Sequence, residues 1–317
     1  MKRIVIDCLG GDNPQEELAL GTLDCLDLPL SFVLVGEEGK LRPLLEEKGA
    51  DMGRYEFIDA SIAFPNDGDP RLLVKSGEET SLVQAMLRLN QDDAVAYIGA
   101  GSTGGVLVAS IFRLGLLPGI RFPGLGCFMI QRSGSKVCLL DCGANVDMQP
   151  HLVPRFASIG SAFVKYYLGI PAPRVGLLNL GKEEHKGNAF CKAAYPLLKD
   201  SGLRFVGNIE GNDILMDKCD LVVTDGYSGN IALKAIEMTA LLCEEMAQSH
   251  GDSTVAERID ARFNFTMRGA SIVMGAKKLV LKVHGAGNAS SIASSIRLAY
   301  EIESRGVLEG LGKEIGE

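Results

Sequence analysis

Short apolar runs alternate with amphipathic stretches along nearly the whole 317-residue chain, and this alternation limits the possible folds more than any other feature. Each apolar run is strand-length, and the stretch after it repeats apolar residues every three or four positions. That is the pattern of βαβ units on a mainly parallel sheet. Strands are expected at RIVID, SFVLVG, YEFIDA, AVAYIG, LGCFMIQ, KVCLLDCG, RVGLLNLG, RFVGNI and DLVVTD. Helices are expected near 14–26, 40–48, 80–89, 105–114, 150–168, 189–199, 231–248 and 289–303. Leu233, Ile236, Ala240 and Leu241 illustrate the helical spacing. No repeat, low-complexity block or Pro/Ser-rich linker interrupts the pattern, so a single domain over 1–317 is expected.

Composition narrows the function. A net charge of -8 and the absence of Trp argue against nucleic-acid binding, which needs phosphate-neutralising cations and stacking rings. The 8 cysteines include no CxxC pair, and most lie in apolar runs, as buried free thiols do. A reduced cytoplasmic setting and no metal site are expected. No stretch has the length and purity of a membrane span, and the opening MKRIVID is too short for a signal peptide. The segment 255–282 carries six Lys/Arg against two acids, a local +4 on an acidic protein.

Chemistry gathers at the strand ends. GAGSTG (99–104) matches GxGxxG after a strand, but a dinucleotide site needs an acid about 20 residues on. None occurs in 105–140, which argues against a nicotinamide-binding oxidoreductase. The loop can still cradle an anion, with Gly101 and Gly104 giving close approach and Ser102 and Thr103 giving hydroxyls. Its alternative is a helix N-cap. LLNLGKEEHKGN (177–188) places Lys186 and Asn188 before a helix. A solvated charged loop is the competing reading. VVTDGYSGN brings Asp225, Gly229 and Asn230 to another helix start, as a ligand site or a turn and cap. KVCLLDCGANVD ends in Asn145, and KVHGAGN carries His284. In an open α/β sheet such loops are expected along one crevice, where ligands bind. Walker A, GxSxG and HExxH motifs and a Cys–His pair are all missing. The equipment suits gripping and aiming an anion better than supplying a side-chain nucleophile.

These blocks resemble, in order and over essentially the whole chain, the phosphate acyltransferase (PlsX) family, the acyl-carrier-protein:phosphate transacylases. GAGSTGG is similar to S-A-G-N-T-G-A and DCLGGD to D-A-M-G-G-D. LLDCGAN, PRVGLLNLGKEEHKGN, FVGNIEGNDI, VVTDGYSGNIALK and KVHGAGN are similar to the remaining blocks. Ser102 replaces the Asn of the first block, and RGASIVMG (268–275) replaces G-G-A-P-L-L-G. A divergent helical segment is expected around 248–275. The resemblance implies a Rossmann-like three-layer αβα sandwich, similar to phosphotransacetylase and isocitrate dehydrogenase-like folds. It implies transfer of a fatty acyl group from acyl carrier protein to phosphate for phospholipid synthesis, with no metal or organic cofactor. It further implies a homodimer, cytoplasmic, in peripheral contact with the inner face of the membrane, feeding a glycerol-phosphate acyltransferase.

On this reading Lys186 and Asn230 stand nearest the chemistry: a cation for phosphate or oxyanion, and an amide donor at a helix start. Gly101, Ser102, Thr103, Gly104, Asn145, Asn188, Asp225, Gly229 and His284 line the crevice, and Asp7 and Asp12 brace its loops. Arg258, Arg262, Arg268, Lys277 and Lys278 face the acidic carrier, or form a solvated or lipid-facing surface. The rivals are a short-acyl transacylase using coenzyme A or a reductase-complex thioester, the nicotinamide enzyme, and a scaffold that has lost activity.

Overall fold

A computed structural model describes residues 1–75, 77–263 and 270–315. In chain order the elements begin with β1 (Lys2–Asp7), α1 (Gln15–Leu20), β2 (Leu30–Gly36), α2 (Glu38–Glu47) and β3 (Tyr55–Asp59). Then follow α3 (Ser81–Leu89), β4 (Ala94–Gly99), α4 (Thr103–Ala109), β5 (Gly124–Ile130) and β6 (Lys136–Leu140). The middle holds α5 (Val153–Leu168), β7 (Val175–Leu178), α6 (Ala189–Lys199), β8 (Phe205–Ile209) and β9 (Leu221–Val223). Last come α7 (Gly226–Ser249), α8 (Ser253–Phe263), β10 (Ala270–Met274), β11 (Leu279–Val283), α9 (Ala289–Ser304) and α10 (Val307–Ile315).

The chain forms two compact units. The first combines Met1–Leu117 with Thr266–Ser304, and the second combines Pro118–Phe265 with Arg305–Glu317. In the first unit the strand order is β3-β2-β1-β4-β11-β10. All neighbours pair parallel except β10 with β11. Every residue of β2 is buried, as a strand covered by helices on both faces requires. Each fully buried Val, Leu or Ile there contributes roughly 1.5–3 kcal/mol. In the second unit the order is β5-β6-β9-β7-β8, with only β5–β6 antiparallel.

The sheets are thus mainly parallel, as expected, with two antiparallel hairpins added. Strand β10 and helix α10 were not among the expected elements, while α8 falls in the helical segment expected around 248–275. The helix expected at 105–114 is α-helical only to Ala109 and widens to a π-turn over Ser110–Leu114. The helix expected from 231 begins at Gly226, because Asp225 caps it: Ser228 N–H donates to Oδ1 at 2.7 Å and Ser228 Oγ to Oδ2 at 2.9 Å.

Candidate active site

Each unit gathers three of the strand-end loops. In the first unit they are DCLGGD after β1, GAGSTG after β4 and VHGAGN after β11. Asp12 N–H donates to Gly285 O at 2.8 Å, and Asn13 Nδ2 donates to Ala286 O and Gly287 O. Gly10 lies so close to Gly101 that a methyl group on it would sit 3.2 Å from the Gly101 Cα. Ser102 caps α4 through Gly105 N–H, and Thr103 and Gly104 form the first turn. His284, half-buried, accepts from Ala286 N–H on Nδ1 at 3.2 Å, which leaves Nε2 as the protonated nitrogen of the neutral ring. Beneath these loops Asp7 is wholly enclosed. Burial pushes its carboxyl up to about 6, although Leu9 N–H and the Tyr97 hydroxyl both donate to it.

The second unit is organised by a residue the sequence reading passed over. Asp141 is fully buried at the end of β6 and accepts five N–H groups. Oδ1 takes the amides of Leu125, Gly143 and Ala144, and Oδ2 takes the amide and the Nδ2 of Asn145. The loop is pinned around this one acceptor. Asn145 Nδ2 also donates to Pro123 O, so its amide is committed to holding the loop rather than free for a ligand. Asn145 O accepts from Gly226 N–H at 2.8 Å, which docks the start of α7 on the loop. Only glycine tolerates that docking. A Cβ on Gly229 would lie 1.9 Å from Asp141 O.

Asn230, the fifth residue of α7, is exposed, and its side chain lies beside Gly143. The third loop carries Lys186. Asn179, buried at the end of β7, donates to Lys186 O at 3.1 Å, and Gly187 passes over it with φ +101°, a conformation that favours glycine. Lys186 itself is half-buried, and its ammonium has no hydrogen bond or ion pair among the described residues. By contrast, Lys182 in the same loop is held by Asp213 and Glu210.

Asn188 caps α6 through Cys191 N–H at 2.9 Å, so its capping reading is realised. It also lines a cavity of about 550 Å³ together with Asp225, Ser228, Tyr227, Phe190 and Gln149. Asp225 engages both carboxylate oxygens on Ser228. The cavity therefore combines two helix N-termini, which attract anions, and the Asn188 and Gln149 amides with two carboxylates, Asp147 and the Ser228-bonded Asp225.

Thiol chemistry is poorly provided for. Of the 8 cysteines all are free and only Cys243, on α7, is exposed. Burial raises Cys8, Cys127 and Cys138 far above the usual thiol range, and raises Cys191 beside the cavity as well. Among the described residues no group of three or more His, Cys, Asp or Glu side chains is placed to hold a metal ion. Among the described residues, too, no helix is long and apolar enough to cross a membrane.

The cations of 255–282 divide between the units. Arg258 and Lys277 are exposed. Arg262 donates to Gln131 O at 2.6 Å, and Lys278 to Ala94 O at 3.2 Å, so both have backbone partners. Arg268 lies outside the described residues.

Residues 2–309 match the family described as fatty acid synthesis protein. A phosphate acyltransferase of Nostoc sp. is 35% identical over 98% of this chain and 95% of its own length. One from Halothermothrix orenii is 31% identical over 99% of both. The chain belongs to the phosphate acyltransferase family. In fold it is similar to a phosphotransacetylase from Streptococcus pyogenes, with a TM-score of 0.63 at 14% identity, covering 100% of this chain and 95% of that one. A branched-chain phosphotransacylase from Enterococcus faecalis gives 0.61 at 15% identity, covering 95% and 98%.

Proposed function

We propose that the chain transfers a fatty acyl group from acyl carrier protein to inorganic phosphate, releasing acyl phosphate for phospholipid synthesis. Acyl transfer to phosphate follows from family membership. The observation that carries the site assignment is Lys186: a cation without a partner among the described residues, its backbone held by the buried Asn179, in one of three loops rich in neutral donors. Phosphate brings its own nucleophilic oxygen. That oxygen attacks the thioester carbonyl carbon, the C–S bond breaks, and the thiolate leaves and takes up a proton. A thiol of pKa about 8.5 leaves without strong acid assistance. The protein must hold phosphate in line and meet the carbonyl oxygen as it gains charge.

In this scheme Lys186 neutralises phosphate or the developing oxyanion, and Asn230 donates its amide to the carbonyl oxygen. Asn188, Ser228 and the start of α7 would contact phosphate, while Asn145, Asp225 and Gly229 position the helix end. The exposed Arg258 and Lys277 support an acidic carrier as partner. Tyr227, Ile231, Met238 and Leu242 form an exposed apolar stripe on α7, which supports burial against a second copy or peripheral contact with a membrane surface. Free thiols throughout support a reducing, cytoplasmic location.

The test is incubation with long-chain acyl carrier protein and phosphate, trapping acyl phosphate with hydroxylamine, alongside acetyl-coenzyme A. Hydroxamate should form from the long-chain donor. Formation only from acetyl-coenzyme A would replace the reading with a short-acyl transacylase. Asn230→Asp puts a negative charge beside phosphate and should slow turnover about tenfold more than Asn230→Ala. Equal rates in a hydroxamate assay would remove the anion from that position.

A further inference from the structure

A second cavity of the second unit, about 220 Å³, lies at the start of α5. Arg121, His151 and Arg155 line it together with Phe122, Phe156 and Ile159, and no acid does. In a chain with 40 acidic residues, both segments that line it, 119–122 and 151–159, come from tracts without any, 105–140 and 148–182. Neither arginine has an ion pair among the described residues. Arg155 is fixed by Nη2 alone, which donates to Pro118 O at 2.6 Å and Ile315 O at 3.0 Å. Its Nη1 and Nε have no hydrogen-bond partner among the described residues. A side chain on Gly119 would strike that guanidinium at 2.9 Å.

The placement is electrostatically unfavourable as it stands. His151 and Arg155 flank the N-terminus of α5, where the helix dipole favours anions, and no side chain caps that end. An anion in the cavity resolves the conflict for the two arginines and the dipole together, with the His151 ring as a further N–H donor. The volume is below the roughly 300–1,000 Å³ typical of drug-sized ligands, which excludes a whole nucleotide. The apolar wall of Phe122, Phe156 and Ile159 calls for carbon next to the charge. A phosphate ester of a branched alkyl chain has both, and the 4′-phosphopantetheine arm carries a dimethyl carbon beside its phosphate.

We infer that this cavity binds the phosphate end of the pantetheine arm of the thioester donor, apart from the phosphate that accepts the acyl group. The inference rests on the reading that the donor is a pantetheine-linked thioester. The Asn145–Pro123 hydrogen bond joins the cavity wall, at Phe122, to the loop pinned by Asp141.

The test compares S-acyl 4′-phosphopantetheine with S-acyl pantetheine, which lacks the phosphate, as donors. The variant is Arg121→Ala with His151→Ala, both exposed positions. The KM for the phosphorylated donor should rise about tenfold, the scale of losing a hydrogen bond to a charged group. The KM for the other donor, the KM for inorganic phosphate and both kcat values should hold. Equal rises for both donors, or none, overturn the inference. A rise confined to inorganic phosphate also overturns it and assigns the cavity to the acceptor. If neither donor yields acyl phosphate with the unaltered protein, the donor reading fails, and calorimetry with 4′-phosphopantetheine decides the cavity alone. Tenfold weaker binding by the double variant keeps the site, and unchanged binding removes it.

Discussion

The two loop clusters are built from similar sequence and reach different ends. In the first unit the loops satisfy one another: Asp12 binds Gly285, Asn13 takes two carbonyls, and Ser102 caps its own helix. In the second unit two buried residues, Asp141 and Asn179, absorb the loops' internal bonding demand. Lys186 and Asn230 are left available. A loop can project reactive groups only when something beneath it meets the needs of its backbone.

The sharpest way to break this contrast is Lys186→Ala. It should lower acyl-phosphate formation by about 10²–10³, as loss of a preorganised stabilising group does, with an unchanged unfolding midpoint. Near-normal hydroxamate yield would make the two clusters equals.

Next is Asp141→Asn, which sets an NH₂ group against N–H donors in a fully buried place. Stability should fall by about 3 kcal/mol or more, read as a shift in the urea midpoint. A loss under 1 kcal/mol would mean that the loop holds itself.

Asp7 separates the units by pH. Its raised pKa keeps it neutral in the fold while the unfolded chain, near 3.8, is already ionised. The protein therefore loses stability as pH climbs from about 4 to about 6, by about 3 kcal/mol in all, and stays at that lower level above. Asp7→Asn does not titrate, so it should gain that much on the unaltered protein between pH 4 and 7. A constant difference across that range would show that burial does not govern this carboxyl.

The smallest effect is expected for Ser102→Ala, about 1 kcal/mol of stability from a lost cap and less than tenfold in rate. A rate loss matching that of Lys186→Ala would move chemistry into the first unit.

The alternation of strand and helix was legible because parallel strands must be apolar throughout and their helices amphipathic. The hairpins were not: β10, which lies in the segment expected to be helical, gains its identity only by pairing with β11, a tertiary fact. The start of α7 was missed because DGYSGN reads as a turn. Its glycines are there to clear Asp141 O and the Asn145 backbone. Asp141 looked like one more strand-end acid, since nothing local shows five amides turning toward it. That 266–304 joins the beginning of the chain is likewise unmarked by any linker. The loop blocks themselves stood out through their small residues and amides, though capping at Ser102, Asn188 and Asp225 and ligand binding call for the same residue types.

With seven thiols enclosed, Cys243 offers a single address for a maleimide fluorophore or spin label without any engineering of the background. A probe there would ride on the long helix α7, and its emission or mobility would report in real time whatever comes to cover that helix.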